Sequence, residues 1–319
     1  MKKVLITGIT GFVGKHLAEY LLTQADCDII GTYRSETGLA TLDTLKEKIT
    51  LEKVDLLEEK QVRDLIASIR PDCIYHLAAM SFPGESFQNP GSTITNNILA
   101  ELHVLDALKN NDMQHVRVIV IASSEVYGLV KPSDIPVDEE TPFRPINPYA
   151  VSKIAQDYLA LQYHLSYKLA LVRARPFNHI GPGQREQFAL PSFAKQIVRI
   201  EKGEQEPIIK VGNLDAKRDI TDVRDMVKAY RLILEQGEAG EVYNIGSGTS
   251  HKIGDLLTML LALSTAKIQV ETDPTLLRPL DFADITCDYT KLHTLTGWKP
   301  EIPMEKTLQD LLAYYRKIR

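Results

Sequence analysis

Two tyrosine–lysine pairs in this sequence are spaced four residues apart, so that on a helix both side chains would lie on one face. They are Tyr127 with Lys131 and Tyr149 with Lys153. A tyrosine hydroxyl has a reference pKa of about 10, so it needs a neighbouring positive charge to exchange a proton near neutral pH. Either pair therefore predicts an acid–base centre.

The residues around the two pairs favour the second pair. Lys131 precedes Pro132 in a polar, proline-rich loop, where helical geometry is disfavoured. Tyr149 and Lys153 instead open a long predicted helix behind Asn147-Pro148, which suits a cap and a first helical position. We therefore predict that proton transfer belongs to Tyr149 and Lys153.

Hydroxyl and carboxyl groups follow an uninterrupted apolar stretch at residues 116–122. Ser123, Ser124 and Glu125 come directly after it, at the end of a predicted strand. A hydroxyl there is able to polarise a substrate carbonyl, so Ser123, Tyr149 and Lys153 predict a carbonyl/alcohol redox centre beside a nicotinamide. Glu125 is either a further acid–base group or a structural hydrogen-bond partner.

The start of the chain predicts where a dinucleotide would bind. Residues 4–6 are an apolar run typical of a buried strand, and three glycines follow at three-residue intervals before helical spacing begins. Such glycines allow a tight turn, approach of the backbone to a pyrophosphate, and close packing of helix on strand. The helix start adds N–H groups and a positive dipole end. A glycine-rich turn without a ligand is the alternative. The predicted loop residues are Gly8, Gly11, Phe12, Val13 and Gly14.

The end of the second predicted strand favours NADP(H) over NAD(H). An acidic residue there binds the ribose of NAD, but this chain has Gly31-Thr32-Tyr33-Arg34, and Arg34 offers a guanidinium fork for a 2′-phosphate. Asp55 and Leu56 follow the third strand and are placed at the adenine edge, with an ordinary helix cap as the alternative for Asp55. The segment that ends the fourth strand is predicted to let the cofactor lie against its backbone: Leu77, Ala78 and Ala79.

Length and composition limit the classes of protein to which the chain can belong. Its 319 residues suit about two domains, and 44% apolar residues can fill a core. A net charge of −5 without a basic run argues against a nucleic-acid partner. Three distant cysteines with no Cys-x-x-Cys pair are typical of reduced thiols in a cytoplasmic protein. No stretch is long enough to span a membrane, and no residue spacing predicts a metal site.

Alternating strand and helix patterns predict an α/β fold: a doubly wound, Rossmann-type parallel sheet with a smaller C-terminal substrate-binding region. We expect the dinucleotide-binding domain at residues 1–175 and the substrate-binding region at 176–319, with about 222–247 returning to the sheet. Ligands bind at the carboxyl ends of strands in such folds. The main predicted strands are 28–33, 49–54, 71–77, 116–122, 169–173 and 241–245, and the main helices are 58–69, 91–111, 147–167 and 222–236.

Taken together, these residues resemble the extended short-chain dehydrogenase/reductase family. The motifs are Thr7-Gly8-x-x-Gly11-x-x-Gly14, His76-Leu77-Ala78-Ala79, Ser123 and Tyr149-x-x-x-Lys153. Segments 177–184, 193–197, 207–214, 217–219 and 277–279 resemble its GDP-sugar branch. The resemblance implies NADPH-dependent reduction of the 4-keto group of a GDP-4-keto-6-deoxy-hexose, as in GDP-4-keto-6-deoxy-D-mannose to GDP-D-rhamnose. Dehydration of GDP-mannose, or another nucleotide-sugar dehydration or epimerisation, is the alternative.

The resemblance also implies roles for particular residues and a homodimer, paired through helices 91–111 and 147–167. Apolar residues beyond one core stripe support the pairing: Ile98, Leu99, Leu102 and Leu105 on the first helix, and Ala155, Tyr158, Leu159 and Tyr163 on the second. The alternative is that these helices merely cover the sheet. The family's Asn-x-x-Gly-Thr reads Asn97-x-x-Ala100-Glu101 here, which weakens the expectation of close helix packing at that point. Catalytic roles are implied for Ser123, Tyr149 and Lys153, and substrate contacts are predicted for Ser81, Ser124, Glu125, Asn178, Lys195, Arg218 and Arg278.

Overall fold

The computed structural model describes residues 1–24, 27–277 and 284–318. The strands are β1 (Lys2–Thr7), β2 (Cys27–Tyr33), β3 (Thr50–Lys53), β4 (Cys73–His76), β5 (Arg117–Ile121), β6 (Leu171–Pro176), β7 (Asn178–Ile180), β8 (Ile208–Val211), β9 (Lys217–Asp222), β10 (Val242–Ile245), β11 (Ser250–Lys252) and β12 (Gln269–Thr272). The α-helices are α1 (Phe12–Gln24), α2 (Glu59–Ile69), α3 (Pro83–Gln88), α4 (Pro90–Asn110), α5 (Pro148–Tyr167), α6 (Ala189–Glu201), α7 (Val223–Gln236), α8 (Ile253–Ala262), α9 (Thr290–Thr296) and α10 (Met304–Lys317).

A seven-stranded parallel sheet forms the centre of the molecule, in the order β10-β6-β5-β4-β1-β2-β3. This arrangement confirms the predicted doubly wound sheet. The strand order reverses between β1 and β4, and the carboxyl ends of strands at such a switch point form a ligand-binding crevice. The predicted glycine loop follows β1, and the segment predicted to line the cofactor follows β4. Both therefore lie at this switch point.

Apolar side chains of β1 alternate between two cores because successive residues of a strand point to opposite faces. Val4 and Ile6 pack in the core under α1 and α7, whereas Leu5 packs in the core under α2, α4 and α5. All three are buried, which explains why the strand reads as a continuous apolar run. The two layers of helices thereby fix the sheet whose carboxyl edge carries the site.

A third apolar core, in the second half of the chain, is formed largely by α6, α8 and α10. Two small sheets accompany it, β11-β9-β7 and β12-β8. Between these elements, α7 packs on α1 and β10 pairs with β6 at the edge of the central sheet. The strand ends that form the crevice are therefore flanked by the C-terminal elements.

The helices α4 and α5 pack closely despite the unusual Ala100-Glu101 pair. Ala100 and Glu101 are both buried, so the structure overturns the expectation of looser packing there. Two residues predicted to face outward for dimerisation, Leu105 and Tyr163, are also buried within the chain. Leu105 belongs to the core under the sheet, and the Tyr163 hydroxyl donates to Asp106 Oδ1 at 2.8 Å. Among the described residues, none of the helices combines the length and apolar character needed to cross a bilayer.

Candidate active site

A cavity of about 1440 Å³ runs along the carboxyl ends of the central strands. Its walls include the glycine loop and the segments that follow β2, β3, β4 and β5, together with residues of the C-terminal half. The structure therefore brings together in one cavity most of the residues singled out from sequence. These are Gly8, Gly11, Phe12, Val13, Gly14, Arg34, Asp55, Leu56, Leu77, Ala78, Ala79, Ser81, Ser123, Glu125, Tyr149, Lys153, Asn178 and Arg218.

The glycine loop has no room for side chains. Gly8 has a φ of +69°, and a Cβ on it would lie 2.9 Å from the Ala78 Cα. A Cβ on Gly14 would lie 2.6 Å from the Gly8 carbonyl oxygen. The Thr7 hydroxyl accepts from the backbone amides of Leu77 and Ala78 at 3.1 and 3.2 Å, which ties the end of β4 to the loop.

A pyrophosphate fits this loop on physical grounds. The first turn of α1 begins at Phe12 and contains no acidic residue, so its free N–H groups and positive dipole end are available to an anion. Close approach of a phosphate requires the missing side chains of the glycines. We conclude that the loop suits the diphosphate of a dinucleotide.

Arg34 lies at the end of β2 with its side chain exposed on the cavity wall. Its Nη1 donates to Asn96 Oδ1 at a long 3.5 Å. Asp55 also lines the cavity, but its Oδ1 accepts from the Leu57 amide at 3.0 Å, within the turn that precedes α2. Asp55 is therefore both a turn residue and a wall residue, which keeps both interpretations of it open.

The start of α5 presents Tyr149 and Lys153 to the cavity. Asn147 Oδ1 accepts from the Ala150 amide at 2.7 Å and Pro148 takes the first helical position, so the helix begins where its sequence predicts. Lys153 Nζ lies 5.9 Å from the centre of the Tyr149 ring and donates to the Ile121 carbonyl, at the end of β5, at 2.8 Å. One helical turn therefore sets the spacing of the pair, and β5 anchors it.

Burial controls the protonation of the pair. Burial raises the pKa of Tyr149, while the Ser123 side chain opposes the rise and the Glu125 charge adds to it. Burial lowers the pKa of Lys153 to about 8, against the opposing effect of Glu101. At neutral pH the site thus holds a protonated tyrosine beside a cationic lysine, the state from which a proton can be given to a carbonyl oxygen.

Ser123 and Glu125 follow β5 and face the same cavity, whereas Ser124 is buried beside them and does not line it. Glu125 Oε2 accepts from Asn147 Nδ2 at 2.9 Å. Since Asn147 also caps α5, this contact couples Glu125 to the helix that carries Tyr149. Glu125 therefore makes the hydrogen bond expected of a structural residue. It also reaches the cavity, as an acid–base group must.

Tyr127 is removed from the cavity, in agreement with the choice of the second pair. Its ring is fully buried, its hydroxyl donates to Asn244 Oδ1 at 2.7 Å, and it accepts from Arg175 Nη1 at 3.0 Å. Lys131 has extended backbone dihedral angles and directly precedes Pro132. Tyr127 and Lys131 therefore do not share a helix. Tyr127 is part of the interior packing.

The substrate end of the cavity differs in part from expectation. Asn178 on β7 and Arg218 on β9 line it, but Lys195 does not, since it lies half-exposed on α6 and pairs with Glu186. The structure thus gives no support to a diphosphate contact from Lys195. The position of Arg278 lies outside the described residues. No group of three His, Cys, Asp or Glu side chains within residues 1–24, 27–277 and 284–318 could hold a metal ion.

Sequence reasoning did not single out the apolar wall at the substrate end. Phe82 and Phe188 meet edge to face there, with ring centroids 5.3 Å apart, and Leu276 and Leu277 complete it. The strand-end rule could have indicated Phe82, which follows β4 closely. No spacing in the sequence links it to Phe188 or the two leucines, since these come from distant segments.

Comparisons with known proteins agree with the fold. Residues 5–311 match the family described as GDP-mannose 4,6 dehydratase. The chain is 36% identical over 312 residues to GDP-6-deoxy-D-mannose reductase of Pseudomonas aeruginosa, covering 98% of this chain and 96% of that protein. It is 30% identical over 352 residues to GDP-mannose 4,6-dehydratase of Yersinia enterocolitica, covering 98% and 93%. Among solved structures, RMD from Pseudomonas aeruginosa complexed with NADPH superposes with a TM-score of 0.87 at 35% identity, covering 99% of each chain. The chain therefore belongs to the GDP-mannose 4,6 dehydratase family, within the extended short-chain dehydrogenases/reductases whose motifs it carries.

Proposed function

We propose that this protein is an NADPH-dependent reductase of the 4-keto group of a GDP-4-keto-6-deoxy-hexose, converting GDP-4-keto-6-deoxy-D-mannose to GDP-D-rhamnose. The observation that carries the proposal is the similarity along 98% of the chain to a GDP-6-deoxy-D-mannose reductase, at 36% identity. The similarity to a dehydratase is lower, at 30%. The cavity supports the proposal because it joins a dinucleotide loop to a proton donor.

The cofactor proposed for the glycine loop is NADP(H), which would supply the hydride for the sugar carbonyl. The Tyr149 hydroxyl gives its proton to the carbonyl oxygen, so the ketone gains one hydride and one proton and becomes an alcohol. Ser123 holds that oxygen by a hydrogen bond. The cationic Lys153 stabilises the negative charge that Tyr149 acquires when its proton leaves.

Arg34 supports NADP(H) rather than NAD(H) in this proposal. It stands at the end of β2, where a carboxylate would bind an unphosphorylated ribose, and it faces the cavity. A guanidinium matches a phosphate by paired, charge-assisted hydrogen bonds. The residues proposed to bind the diphosphate of the GDP moiety are Asn178 and Arg218, which line the same cavity.

A GDP-mannose 4,6-dehydratase is the second candidate, and Glu125 favours it. That reaction oxidises C4, eliminates water across C5 and C6, and returns the hydride to C6, so it needs a further acid–base group beside Tyr149. Glu125 reaches the cavity and affects the Tyr149 pKa. A nucleotide-sugar epimerase of the same scaffold would use the same Tyr149–Lys153 pair.

We also propose a cytoplasmic homodimer. Apolar side chains exposed on α5 support dimerisation through α4 and α5. Cys73 and Cys287 are buried free thiols, which supports a reducing compartment.

The two enzymatic candidates differ in how they use the cofactor. We expect the purified protein to oxidise one NADPH for each GDP-4-keto-6-deoxy-D-mannose consumed, giving a 6-deoxy sugar with a C4 hydroxyl. We expect GDP-mannose alone to stay unchanged when no NADPH is added, because its C4 carries a hydroxyl and offers a reductase no ketone to reduce. Chromatography that shows a 4-keto sugar formed from GDP-mannose under those conditions would replace the reductase with the dehydratase.

A further inference from the structure

The connection between β7 and α6, residues 181–188, forms part of the cavity wall although it contains no helix or strand. Its second half lines the cavity that Asn178 and Arg218 also line. The lining residues of that half are Gln184, Arg185, Glu186, Gln187 and Phe188. Connecting segments commonly carry binding residues, and a rigid scaffold positions them. The contacts that hold this connection therefore bear on how a substrate binds.

The first half of the connection is fixed to α1, the helix that follows the glycine loop. His16 Nε2 lies 2.8 Å from the Pro182 carbonyl oxygen. A carbonyl oxygen only accepts, so Nε2 is the protonated nitrogen of this ring and donates the hydrogen bond. On β7, just before the connection, the His179 ring stacks on Phe12 of α1, with centroids 6.2 Å apart and ring planes at 8°. The helix beside the proposed cofactor loop thus anchors the first half.

The second half of the connection has weak contacts of its own. Backbone hydrogen bonds from the amides of Gln184 and Phe188 to carbonyls within the connection are each 3.3 Å long. The Glu186 carboxylate pairs with Lys195, but both side chains are exposed, and an exposed ion pair contributes little to stability. The position of residues 184–188 therefore depends on contacts with other elements of the fold.

Tyr315 on α10 supplies a buried hydrogen bond to this second half. Its side chain packs in the core formed largely by α6, α8 and α10, and its hydroxyl donates to the Gln184 carbonyl oxygen at 2.9 Å. Because core packing fixes the ring, the hydroxyl holds that carbonyl at a fixed place. Gln184 directly precedes the other lining residues, so the hydrogen bond sets where they lie. Tyr315 itself does not line the cavity.

We propose that Tyr315 is a positioning residue, whose hydroxyl holds residues 184–188 where a nucleotide sugar contacts them. The inference rests on the proposed function, in which Asn178 and Arg218 bind the diphosphate in the same cavity. Tyr315 acts through the Gln184 carbonyl and touches neither substrate nor cofactor. Loss of its hydroxyl should therefore weaken binding of the nucleotide sugar and leave the chemical step, which belongs to Tyr149, unchanged.

Steady-state kinetics test the proposal. Tyr315→Phe keeps the ring in the core and removes only the hydroxyl, so the Gln184 carbonyl loses its donor. The net contribution of one such hydrogen bond corresponds to about a two- to tenfold change in a binding constant. We expect KM for the GDP-4-keto-6-deoxy sugar to rise by about that factor. Both kcat and the Kd of NADPH should change by less than about twofold, since only substrate binding is affected.

Tyr314→Phe is the matched control, since it makes the same chemical change one residue earlier on α10. The Tyr314 ring packs edge to face on that of Tyr315, with centroids 5.5 Å apart, and the donor to Gln184 stays in place. Its KM should stay at the wild-type value. Calorimetric titration with GDP, which carries the diphosphate and the base but no reacting sugar, should show the same difference: only Tyr315→Phe binds GDP more weakly, by about two- to tenfold.

Hydrogen exchange separates this inference from the proposed function, because it needs no substrate. The backbone amides of residues 183–188, followed by mass spectrometry in the free protein, should exchange about two- to tenfold faster in Tyr315→Phe than in the wild type or in Tyr314→Phe. Faster exchange supports the positioning role even if the wild-type protein reduces no sugar, in which case the proposed function alone fails. Unchanged exchange, an unchanged KM in an active Tyr315→Phe enzyme, or an equal rise of KM in Tyr314→Phe overturns the inference.

Discussion

Tyr149 and Tyr127 show how surroundings decide the role of a side chain. Each is four residues before a lysine, but the Tyr127 hydroxyl is held between Asn244 and Arg175 in the interior. Tyr149 instead lines the cavity, where burial raises its pKa and the Ser123 side chain opposes that rise. A substitution that removes only the hydroxyl should therefore affect catalysis at one position and stability at the other.

We expect Tyr149→Phe to fold and to bind NADPH while its turnover falls by about two to four orders of magnitude, the usual contribution of a positioned acid. Tyr127→Phe is the control. It removes one hydrogen bond from each of two buried partners, Asn244 and Arg175, so it should lower the free energy of unfolding by about 1–3 kcal/mol and keep most of the turnover. Steady-state kinetics and urea unfolding of both variants measure the two effects. Equal losses of turnover would show that the wrong pair had been chosen.

Arg34 should decide the choice between the two nicotinamide cofactors. Its guanidinium faces the cavity, and the hydrogen bond that it makes to Asn96 is long, at 3.5 Å, so it is able to turn to a 2′-phosphate. A charge-assisted contact contributes about 1.5–3 kcal/mol, which corresponds to roughly ten- to a hundredfold in affinity. We expect Arg34→Ala to lose that preference for NADPH over NADH in fluorescence titrations. An unchanged preference would contradict the assignment.

Residues in strand-end motifs could be predicted from the sequence because the fold places strand ends in one crevice. Lys195 and Glu101 could not be placed in the same way. Lys195 is on α6, and its turn toward Glu186 depends on tertiary packing that the motif does not encode. Glu101 lies in a buried interface between two helices, and the sequence shows only a departure from a pattern, not the burial of the carboxyl group.

The helices and strands follow the sequence most closely where a local signal sets their ends. The start of α5 is fixed by the Asn147 cap and by Pro148, and α9 ends at Gly297, which has a φ of +71°. The predicted strands and helices of the first 175 residues match the observed ones within a few residues. The small sheets of the second half were not predicted, because strands as short as Ser250–Lys252 carry no periodic signal. The division of the chain at residue 176 stays a prediction.

The turn from β1 into α1 should tolerate no side chain at its third glycine. In Gly14→Ala the new Cβ would lie 2.6 Å from the Gly8 carbonyl and 2.8 Å from the Ile9 Cα, so the loop backbone must shift. We expect NADPH binding to be lost and the free energy of unfolding to fall by about 1–3 kcal/mol. Gly91→Ala is the control, since nothing lies within 4 Å of its Cβ in the first turn of α4. It should stabilise the protein by about 0.4–1 kcal/mol. A Gly14→Ala protein that binds NADPH normally would contradict the role of the loop.

At the scale of the whole molecule, α5 leaves an apolar stripe uncovered. Val151, Tyr158 and Leu165 are spaced by seven residues and are 46%, 54% and 58% exposed. Such spacing places them on one side of the helix, opposite to buried residues such as Ala160. Exposed apolar patches commonly mark association sites. The stripe includes Tyr158, which the sequence predicts for the dimer interface, and it leaves out Leu105 and Tyr163, which are buried. It therefore forms the centre of the proposed interface.

We expect sedimentation of the wild-type protein at micromolar concentration to show a dimer. Tyr158→Glu combined with Leu165→Lys places charges on the stripe, where burial against a second copy would be costly, so this variant should be a monomer. Leu295→Lys, at a leucine 41% exposed on α9, is the control and should remain a dimer. Because the glycine loop, Tyr149 and Lys153 all come from one chain, the monomeric variant should still bind NADPH. A wild-type protein that sediments as a monomer would mean that the stripe is simply exposed surface.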